Sequence, residues 1–354
     1  MPILDLNDKK EVELYNDFVK NNKHTNFMQD IAWSKVKNNW ESEIVYIKEN
    51  NIIVASVMIL IKRITKFNSS IIYAPGGPLG DIFNMDILNL LIKEVDNIAY
   101  SYNAFVFKFD PKIVYSEKNI EYIKSLNLIL SRKDSTIQPL YNMSINTEER
   151  CLESIVKDMS SNTRYSIKYS MKKNVEVYSS RKVEDLKIFY DLYTQTTTRN
   201  KFPCRTYEYF ESLLEAFNDN EIKIYIAKHD GDYLAASIAI NYGKEVTYLY
   251  GSSSEVKRNL RATYLLQYMM IKWAVETKCK KYNLGGVIEI ADSNTIYKFK
   301  SGFCKNDKVT RYIGEINKIY NPYIFFMYDN FLPIFRKISR RFKGIHLQWL
   351  EDKL

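Results

Sequence analysis

The chain has 354 residues, and its 51 lysines and arginines exceed its 42 aspartates and glutamates, which gives a formal net charge of +9 at pH 7. This length predicts two domains, and it excludes a small scaffold that needs disulfides or a metal ion to fold. Because 46% of the residues are hydrophobic and 14% are aromatic, wholesale disorder is also excluded.

Signatures of several other protein classes are missing from the sequence. The polar opening MPILDLNDKKEVE does not fit a signal peptide, and the longest apolar stretch, residues 52–61, is too short to cross a bilayer. The 4 cysteines lack C-x-x-C spacing and the 3 histidines lie far apart, so we expect free thiols and no metal site. No nucleophile elbow, Walker A loop or G-x-G-x-x-G opens a helix. We therefore expect a soluble cytoplasmic protein without a metal or other cofactor.

The first half of the chain predicts a hairpin, a third strand, a helix and a fourth strand. Two alternating segments that meet at Asn50-Asn51 indicate the hairpin. The turn-rich PGGPLGD follows the third strand, and the fourth strand ends in FKFDP. The predicted elements are helices at 8–20 and 28–37, strands at 44–50, 52–62 and 70–74, a helix at 85–100 and a strand at 104–110.

The second half repeats this order behind its own pair of helices. A hairpin turns at HDGD, a third strand leads to GSSSEVKRN, and a long helix precedes a short last strand. The predicted elements are helices at 182–197 and 206–217, strands at 222–228, 233–242 and 245–250, a helix at 262–278 and a strand at 281–284.

Two such units predict a tandem α/β or α+β protein. The boundary falls near residues 148–155, where TEERCLES changes to charged, helix-starting sequence. We predict domains at 1–150 and 151–317, followed by a basic amphipathic tail at 318–354.

The junction between the third strand and the long helix is where an acyl-CoA N-acetyltransferase holds a pyrophosphate. A Gly-rich turn lets backbone N–H groups approach phosphate there. In the second half, Arg261 and Thr263 stand where glycines would be needed, which disfavours a coenzyme A site although the element order resembles that superfamily. In the first half, Gly76, Gly77 and Gly80 form either such a cradle or an ordinary turn between prolines.

Two side chains of the first half are candidates for a functional site. In WSKVKNNW, Trp33 and Lys37 lie one helical turn apart, so Lys37 either binds phosphate or extends along its aromatic neighbours from a core-facing helix. Asp110 follows a buried strand, and strand ends in open α/β sheets carry functional sites. An aspartate before proline is equally a common strand terminator.

Three positions of the second half are further candidates. Arg205 and Tyr209 are four residues apart, so they face the same way and either bind phosphate or form a surface Arg–Tyr pair. Tyr250 leaves the third strand, either as a site residue or as a buried aromatic with a satisfied hydroxyl. Lys300 lies among the aromatic residues of YKFKSGF, where it either binds nucleotide or phosphate or is solvated.

Two basic stretches complete the pattern. Arg164, Lys168 and Lys172 recur at helical spacing in TRYSIKYSMKK with tyrosines between them, which suits either nucleic acid or a charged solvent face. Residues 331–354 carry six lysines and arginines against two acids, a surplus of +4, with apolar residues at helical spacing. This pattern indicates either a peripheral membrane contact through an interfacial helix or a helix docked on the body.

Taken together, these segments resemble the FemABX family of aminoacyl-tRNA-dependent peptidoglycan aminoacyltransferases nearly end to end. The resemblance implies two tandem GNAT-like domains. Some members carry a coiled-coil arm in the second domain, and here the direct passage from helix to strand predicts that the arm is absent. The opening MPILDLND and KVKNNWE are most similar to the FemX branch, which acts on a soluble UDP-linked muropeptide. The matching motifs are FMQDIAWSKVKNNWE, IIYAPGGPLGD, FKFDP, TRYSIKYSMKKNVEV, RNKFPCRTYEYFESL, TYLYGSSS, TYLLQYMMIKWA, YNLGGV and YKFKSGFCKNDKVTRYIGEI.

The resemblance implies peptide-bond formation outside the ribosome. The side-chain amine of the third stem residue of UDP-MurNAc-pentapeptide or lipid II attacks the ester carbonyl of an aminoacyl-tRNA. The resemblance assigns Lys37, with Lys35 nearby, and Arg205 to the diphosphate of the precursor. It assigns Tyr209 and Tyr250 to other contacts with the precursor.

The resemblance also assigns residues to the reaction itself. Lys300, with Phe299 beside it, belongs near the tRNA 3′ end, where it would stabilise the charge on the departing ribose oxygen. Asp110 accepts or orients the proton of the attacking ammonium, although an ordinary aspartate, with a pKa of about 4, is a weak base. Two rival functions stay open: an acyl-CoA-dependent N-acyltransferase, and a non-catalytic protein that binds tRNA or precursor.

Overall fold

The structure is a computed structural model that describes residues 3–133, 136–307 and 309–330. Its helices are α1 (Lys9–Asn21), α2 (Ile31–Val36), α3 (Met85–Ser101), α4 (Glu117–Ser125), α5 (Leu152–Asp158), α6 (Ser161–Lys172), α7 (Val183–Asn200), α8 (Tyr207–Ala216), α9 (Ala262–Glu276), α10 (Thr295–Ser301) and α11, described over residues 322–330. Its strands are β1 (Glu41–Glu49), β2 (Ile52–Ile64), β3 (Ser69–Ala74), β4 (Leu79–Gly80), β5 (Ala104–Phe109), β6 (Ile129–Leu130), β7 (Tyr141–Asn146), β8 (Glu176–Ser180), β9 (Ile222–His229), β10 (Asp232–Tyr242), β11 (Glu245–Ser253), β12 (Lys281–Val287), β13 (Thr310–Arg311) and β14 (Ile316–Ile319).

Contacts divide the described chain into two compact units. The first comprises the described residues up to Leu140 together with those from Arg311 onward, and the second runs from Tyr141 to Thr310. Each unit is built on its own sheet of seven strands with helices packed against it.

The sheet of the first unit has the strand order β1-β2-β3-β5-β14-β6, with β4 paired to β2. Strands β3 and β5 are parallel because α3 carries the chain back between them. The side chain of Asn84 accepts the N–H groups of the first turn of α3, and the helix buries Leu88, Leu91 and Val95 in the core of this unit. The hairpin, third strand, helix and fourth strand predicted for this half are therefore confirmed.

The sheet of the second unit has the strand order β13-β7-β12-β11-β10-β9-β8. Here α9 connects β11 to the parallel strand β12 and buries Leu265, Met270 and Trp273 in the core. The repeat of the element order is confirmed, and the two α/β units match the predicted fold class. Helix α8 leads into β9 through residues 217–221, so the predicted direct connection without an inserted arm is also found.

Each sheet has three strands that were not predicted from the sequence: β4, β6 and β14 in the first, and β7, β8 and β13 in the second. One strand of each set, β14 or β7, pairs with the fourth predicted strand. β14 pairs antiparallel with both β5 and β6, and β7 pairs antiparallel with β12. In each case the added strand covers an edge of the fourth strand, whose backbone N–H and C=O groups need partners. The first compact unit thus ends at Leu140 instead of residue 150, and β14 belongs to it although the predicted second domain extended to residue 317.

The predicted helix over 28–37 is shorter than expected. A 3₁₀ turn at Phe27–Gln29 is followed by Asp30, whose carboxylate accepts the Ala32 N–H and begins α2. Lys37 is the C-cap residue, and its N–H donates to the Trp33 carbonyl.

The predicted tail begins inside the described structure and continues beyond it. Residues 318–319 end β14 and residues 322–330 are helical, whereas residues 331–354, which carry the basic amphipathic pattern, lie outside the described residues. Among the described residues, no helix combines the length and the apolar character needed to cross a membrane.

Candidate functional site

The Asp110 carboxylate lies just past the end of β5 and is held by two donors. The Tyr73 hydroxyl, on the neighbouring strand β3, donates to Oδ2 at 2.7 Å, and the Gly76 N–H donates to Oδ1. Burial raises the pKa of the Asp110 carboxyl to about 7, and the two hydrogen bonds oppose that rise. Asp110 is therefore able to exchange a proton near neutral pH, which answers the objection that an ordinary aspartate is a weak base.

The turn that carries Gly76 is fixed by side chains from the chain segment before α2. Gly76 has φ +66°, and a Cβ at this position would collide with the Asn26 amide, so only glycine fits. The fully buried Gln29 donates to the carbonyls of Met58 and Pro75 at 3.1 and 3.0 Å. Gly76 of PGGPLGD is thus held where its N–H group donates to Asp110.

A buried ion pair joins β5, the strand that Asp110 follows, to the segment that enters β14. Lys108 Nζ is 2.7 Å from Glu315 Oε1 and 2.8 Å from Asn317 Oδ1, and all three residues are at most 2% exposed. Because Glu315 and Asn317 come from β14 and its approach, the pair links β14 to β5. The negative charge of Glu315 also raises the pKa of Asp110, while Lys108 lowers it.

Lys37 and Lys35 lie at the C-terminal end of α2. Lys37 is half-buried with Nζ 5.6 Å from the Trp33 ring, and Lys35 is exposed in the last turn. The geometry shows the aromatic contact predicted from the spacing, and the assignment of both lysines to the precursor stays a prediction.

Lys300 is almost completely buried in the second unit, at 7% exposure. Its Nζ donates to the Gly286 carbonyl at 2.9 Å, on β12. β11 and β12 pair in parallel only as far as Thr247 and Asn283. The ammonium lies beyond that point beside Gly285, which has a φ of +83°.

The environment of Lys300 lowers its affinity for a proton. Burial lowers the pKa of the ammonium to about 8, because the charged form loses hydration. Phe299 precedes it on α10 and packs edge-on against Tyr264 and Phe303, with ring centroids 5.0 and 5.2 Å apart. A solvated lysine was one of the two alternatives for this position, and the burial of Lys300 excludes it.

A β-bulge directs Tyr250 to a different cluster from Tyr248. Ile238 pairs with Tyr250 and Ala239 pairs with Tyr248, so Leu249 is an extra residue in the ladder. Tyr248 packs with the core beneath α9, whereas the Tyr250 ring contacts Phe210 on α8 at 5.0 Å. The alternation of side chains along β11 is thereby shifted by one residue.

Tyr209 and Tyr250 share a hydroxyl–hydroxyl hydrogen bond of 2.9 Å. The exposed Arg205 lies over the Tyr209 ring, with its guanidinium carbon 5.3 Å from the centroid, as the four-residue spacing predicted. Burial, together with the Tyr250 hydroxyl, raises the pKa of Tyr209 well above its ordinary value, so this hydroxyl stays protonated. The arrangement offers a cation and two hydroxyls to an anionic or polar ligand.

The basic stretch over α6 divides into two parts. Arg164 donates to the carbonyls of Lys157, at 3.1 Å, and Met159, so it satisfies the end of α5. Lys168 and Lys172 are exposed. A structural role for Arg164 was not expected, and its assignment to tRNA stays a prediction.

The candidates fall into two groups. The first unit holds Asp110, Lys37 and Lys35, and the second holds the other candidates. Sequence reasoning missed Tyr73 and Gly76 as partners of Asp110. The available signal was that IIYAPGG and FKFDP both end parallel strands, whose carboxyl ends meet at one sheet edge.

Comparison with known sequences identifies the family. The FemAB family model matches residues 11–233 and 228–331. The chain is 32% identical to a UDP-N-acetylmuramoylpentapeptide-lysine N(6)-alanyltransferase from Weissella viridescens, over 92% of this chain and 98% of that protein. It is 24% identical to a lipid II:glycine glycyltransferase from Staphylococcus haemolyticus, over 92% and 97% of the two chains.

Comparison with solved structures gives the same result for the fold. A crystal structure of FemX superposes with a TM-score of 0.83 at 20% identity, over 93% of this chain and all of that chain. A tandem GNAT protein from the clavulanic acid biosynthesis pathway superposes with a TM-score of 0.56 at 7% identity, over 90% and 98%. The fold is thus a tandem pair of GNAT-like units. The chain belongs to the FemAB family, and the prediction made from its motifs is confirmed.

Proposed function

We propose that this protein transfers an amino acid from an aminoacyl-tRNA to the third-residue side-chain amine of a peptidoglycan precursor. The product is a branched stem peptide, from which an interpeptide bridge is formed. The observation that carries the proposal is the similarity to the Weissella viridescens alanyltransferase over nearly the full length of both chains. The half-buried Asp110 and the buried Lys300 would supply the proton acceptor and the cation that this chemistry requires.

The reaction exchanges an ester for an amide. The ammonium of the third stem residue gives one proton to the Asp110 carboxylate, and the neutral amine then attacks the ester carbonyl carbon. The bond between that carbon and the ribose oxygen breaks, and the oxygen takes a second proton from the attacking nitrogen. Lys300 would stabilise the negative charge that develops on the departing oxygen.

The precursor would be bound by charged and hydroxyl groups. Lys37, with Lys35 nearby, and Arg205 suit the diphosphate, because charged donors form the stronger hydrogen bonds with phosphate oxygens. Tyr209 and Tyr250 would contact the remainder of the precursor through their paired hydroxyls. We propose the UDP-linked pentapeptide as the preferred acceptor and lipid II as the second.

A direct test is mass spectrometry of UDP-MurNAc-pentapeptide after incubation with the purified protein and a pool of charged tRNAs, with lipid II in parallel. The expected result is a mass increase of one aminoacyl residue that ribonuclease treatment of the tRNA pool abolishes. Acylation that needs acyl-CoA and resists ribonuclease would establish the rival N-acyltransferase instead. Binding of tRNA or precursor without product would establish the non-catalytic alternative.

We propose in addition that residues 331–354 hold the protein loosely at an anionic membrane surface. Each lysine or arginine near such a surface contributes about 1 kcal/mol, and the contribution decreases with salt. Deletion of residues 334–354 should abolish sedimentation with anionic vesicles while transfer to the UDP-linked precursor persists. Full-length protein that never sediments with these vesicles would refute the membrane contact.

A further inference from the structure

One face of α6 combines an exposed and a half-buried tyrosine with positive charge. Tyr165, Lys168, Tyr169 and Lys172 lie at positions i, i+3, i+4 and i+7, which share one side of a helix. Tyr165 is 56% exposed and both lysines are exposed, whereas the opposite face is buried. The helix, SNTRYSIKYSMK, contains no acidic residue. This face therefore presents only positive charge to a ligand.

The two tyrosines of this face are stacked, and cations flank them. Their ring centroids are 5.8 Å apart with an interplanar angle of 26°. The Arg261 guanidinium carbon lies 5.2 Å from the Tyr165 ring and 5.9 Å from the Tyr169 ring. At the other end, Lys173 Nζ lies 5.8 Å from the Tyr169 ring. Stacked rings flanked by cations are what proteins offer to a nucleic acid strand.

Arg261 adopts a backbone conformation that a glycine would adopt at lower cost. Its φ of +57° lies in the left-handed region, at the start of α9. The Ser170 hydroxyl on α6 donates to the Leu260 carbonyl at 2.6 Å, which ties this loop to the helix. The loop thus places the Arg261 side chain against α6, where it contacts the Ser166 hydroxyl.

The hydrogen bonds of Arg261 to α6 use part of its donor set. Nη1 donates to the Ser166 hydroxyl at 2.7 Å and to Asn162 Oδ1 at 3.4 Å. A guanidinium has five N–H donors in a planar fork. The contacts with α6 orient the Arg261 guanidinium over the Tyr165 and Tyr169 rings. A phosphate bound there would contact both the guanidinium and the tyrosines.

We propose that Tyr165, Lys168, Tyr169, Lys172 and Arg261 form an RNA-binding surface, called here the α6 surface, that contacts the sugar-phosphate backbone of the tRNA. This inference rests on the proposed function, because it assigns the region that holds the body of the donor. The lysines and Arg261 neutralise phosphates, and the exposed part of the Tyr165 ring contacts a base or sugar. The α6 surface is defined without Arg164, whose guanidinium donates to the Lys157 carbonyl at the end of α5; the separate assignment of Arg164 to tRNA stays a prediction.

The test is the affinity for uncharged tRNA, measured by fluorescence anisotropy across a salt series. Lys168→Gln, Lys172→Gln and Arg261→Gln should each lower the affinity about 8-fold at 0.1 M salt and reduce the slope of log K against log salt by about 0.9, as expected for one lost phosphate contact. Tyr165→Ala should lower the affinity with little change in slope. The control is Lys187→Gln, an exposed lysine on α7, which should leave both quantities unchanged.

A second measurement separates the surface from the reaction. The lysine variants remove exposed side chains, so they should fold as wild type, and transfer from an aminoacylated dinucleotide that lacks the tRNA body should be unchanged in them. If wild type binds tRNA and all variants bind it with the same affinity and slope, the α6 surface is refuted while the proposed function stands. If wild type binds no tRNA, both the α6 surface and the proposed function are refuted.

Discussion

The Tyr73 hydroxyl donates a 2.7 Å hydrogen bond to the carboxylate of Asp110 from the adjacent strand of the first sheet. This contact stabilises the charged form of a carboxyl whose pKa burial raises to about 7. The same carboxyl in water would be ionised throughout the physiological range. The protonation of Asp110 should therefore limit the reaction on the acid side.

The first prediction concerns Asp110→Asn. In wild type the rate of transfer should rise with pH through about 7, as the carboxyl becomes the charged acceptor. This rise is the acid limb of the pH profile, and the variant should lack it. The kcat of the variant should also be about 10²–10⁴-fold lower, the usual range for a general acid or base. Rates measured from pH 5.5 to 8.5 test this, and an unchanged limb in the variant would remove Asp110 from the proton transfer.

Tyr73→Phe provides a second test of the same group. Loss of the hydroxyl removes a donor to the charged carboxylate, so the pKa of Asp110 should rise and the acid limb should move to higher pH. The matched control is Tyr102→Phe, since that hydroxyl donates to the exposed Glu41 at 3.0 Å. A limb that moves equally in both variants would refute the link between Tyr73 and Asp110.

The second prediction concerns Lys300→Met. The pKa of about 8 means that the cation is lost as the pH rises through 8, so the wild-type rate should fall there and the variant should lack that fall. We expect kcat to decrease about 10²–10³-fold with little change in precursor affinity, because the charge acts on the transition state. Lys272→Met, which removes a half-exposed partner of Glu276, is the control. A parallel loss of precursor affinity would place Lys300 in the acceptor site.

The lowered pKa of Lys300 should also make the stability of the fold depend on pH. The pKa of the folded group lies below its ordinary value, so the unfolded chain binds more protons between about pH 8 and 10.5. Stability should therefore rise with pH across this window in wild type, and Lys300→Met should remove that rise. Thermal unfolding at pH 7.5 and 9.5 measures it.

The third prediction concerns binding of the precursor. Lys37→Ala and Arg205→Ala should each weaken binding of UDP-MurNAc-pentapeptide by about 1.5–3 kcal/mol, the net value of a hydrogen bond to a charged group. Isothermal titration calorimetry measures this, with Arg63→Ala, an exposed arginine paired with Glu41, as the control. Wild-type affinity in both variants would refute the assignment to the diphosphate.

The fourth prediction concerns the buried pair that links β14 to β5. Glu315→Ala should lower the free energy of unfolding by about 3–5 kcal/mol, because it leaves the Lys108 ammonium buried without its counterion. Glu41→Ala, which removes an exposed pair, should cost below about 1 kcal/mol. Urea denaturation measures the free energy of unfolding of both variants. A double variant that combines Glu315→Leu with Lys108→Met should regain most of the stability that Glu315→Ala loses. Equal losses from the buried and exposed pairs would contradict this account.

The sequence by itself determined the repeated element order and the family. The spacing of apolar residues, the caps and the turns depend on neighbours along the chain, so 44–50, 52–62 and 85–100 were predicted close to their final bounds. The motif order in FKFDP, RTYEYF and YKFKSGF placed Asp110, Arg205 and Lys300 among the candidates before any contact was known.

Only the tertiary structure decided how those side chains behave. The pKa values of Asp110 and Lys300 depend on burial, and that of Asp110 depends also on hydrogen-bond donors from a distant segment. The direction of the Tyr250 side chain depends on one extra residue in a strand ladder. The placement of β14 between β5 and β6 likewise joins segments about 200 residues apart through the Lys108–Glu315 pair. Local periodicity carries no information about such partners, because desolvation and strand pairing arise from neighbours in space.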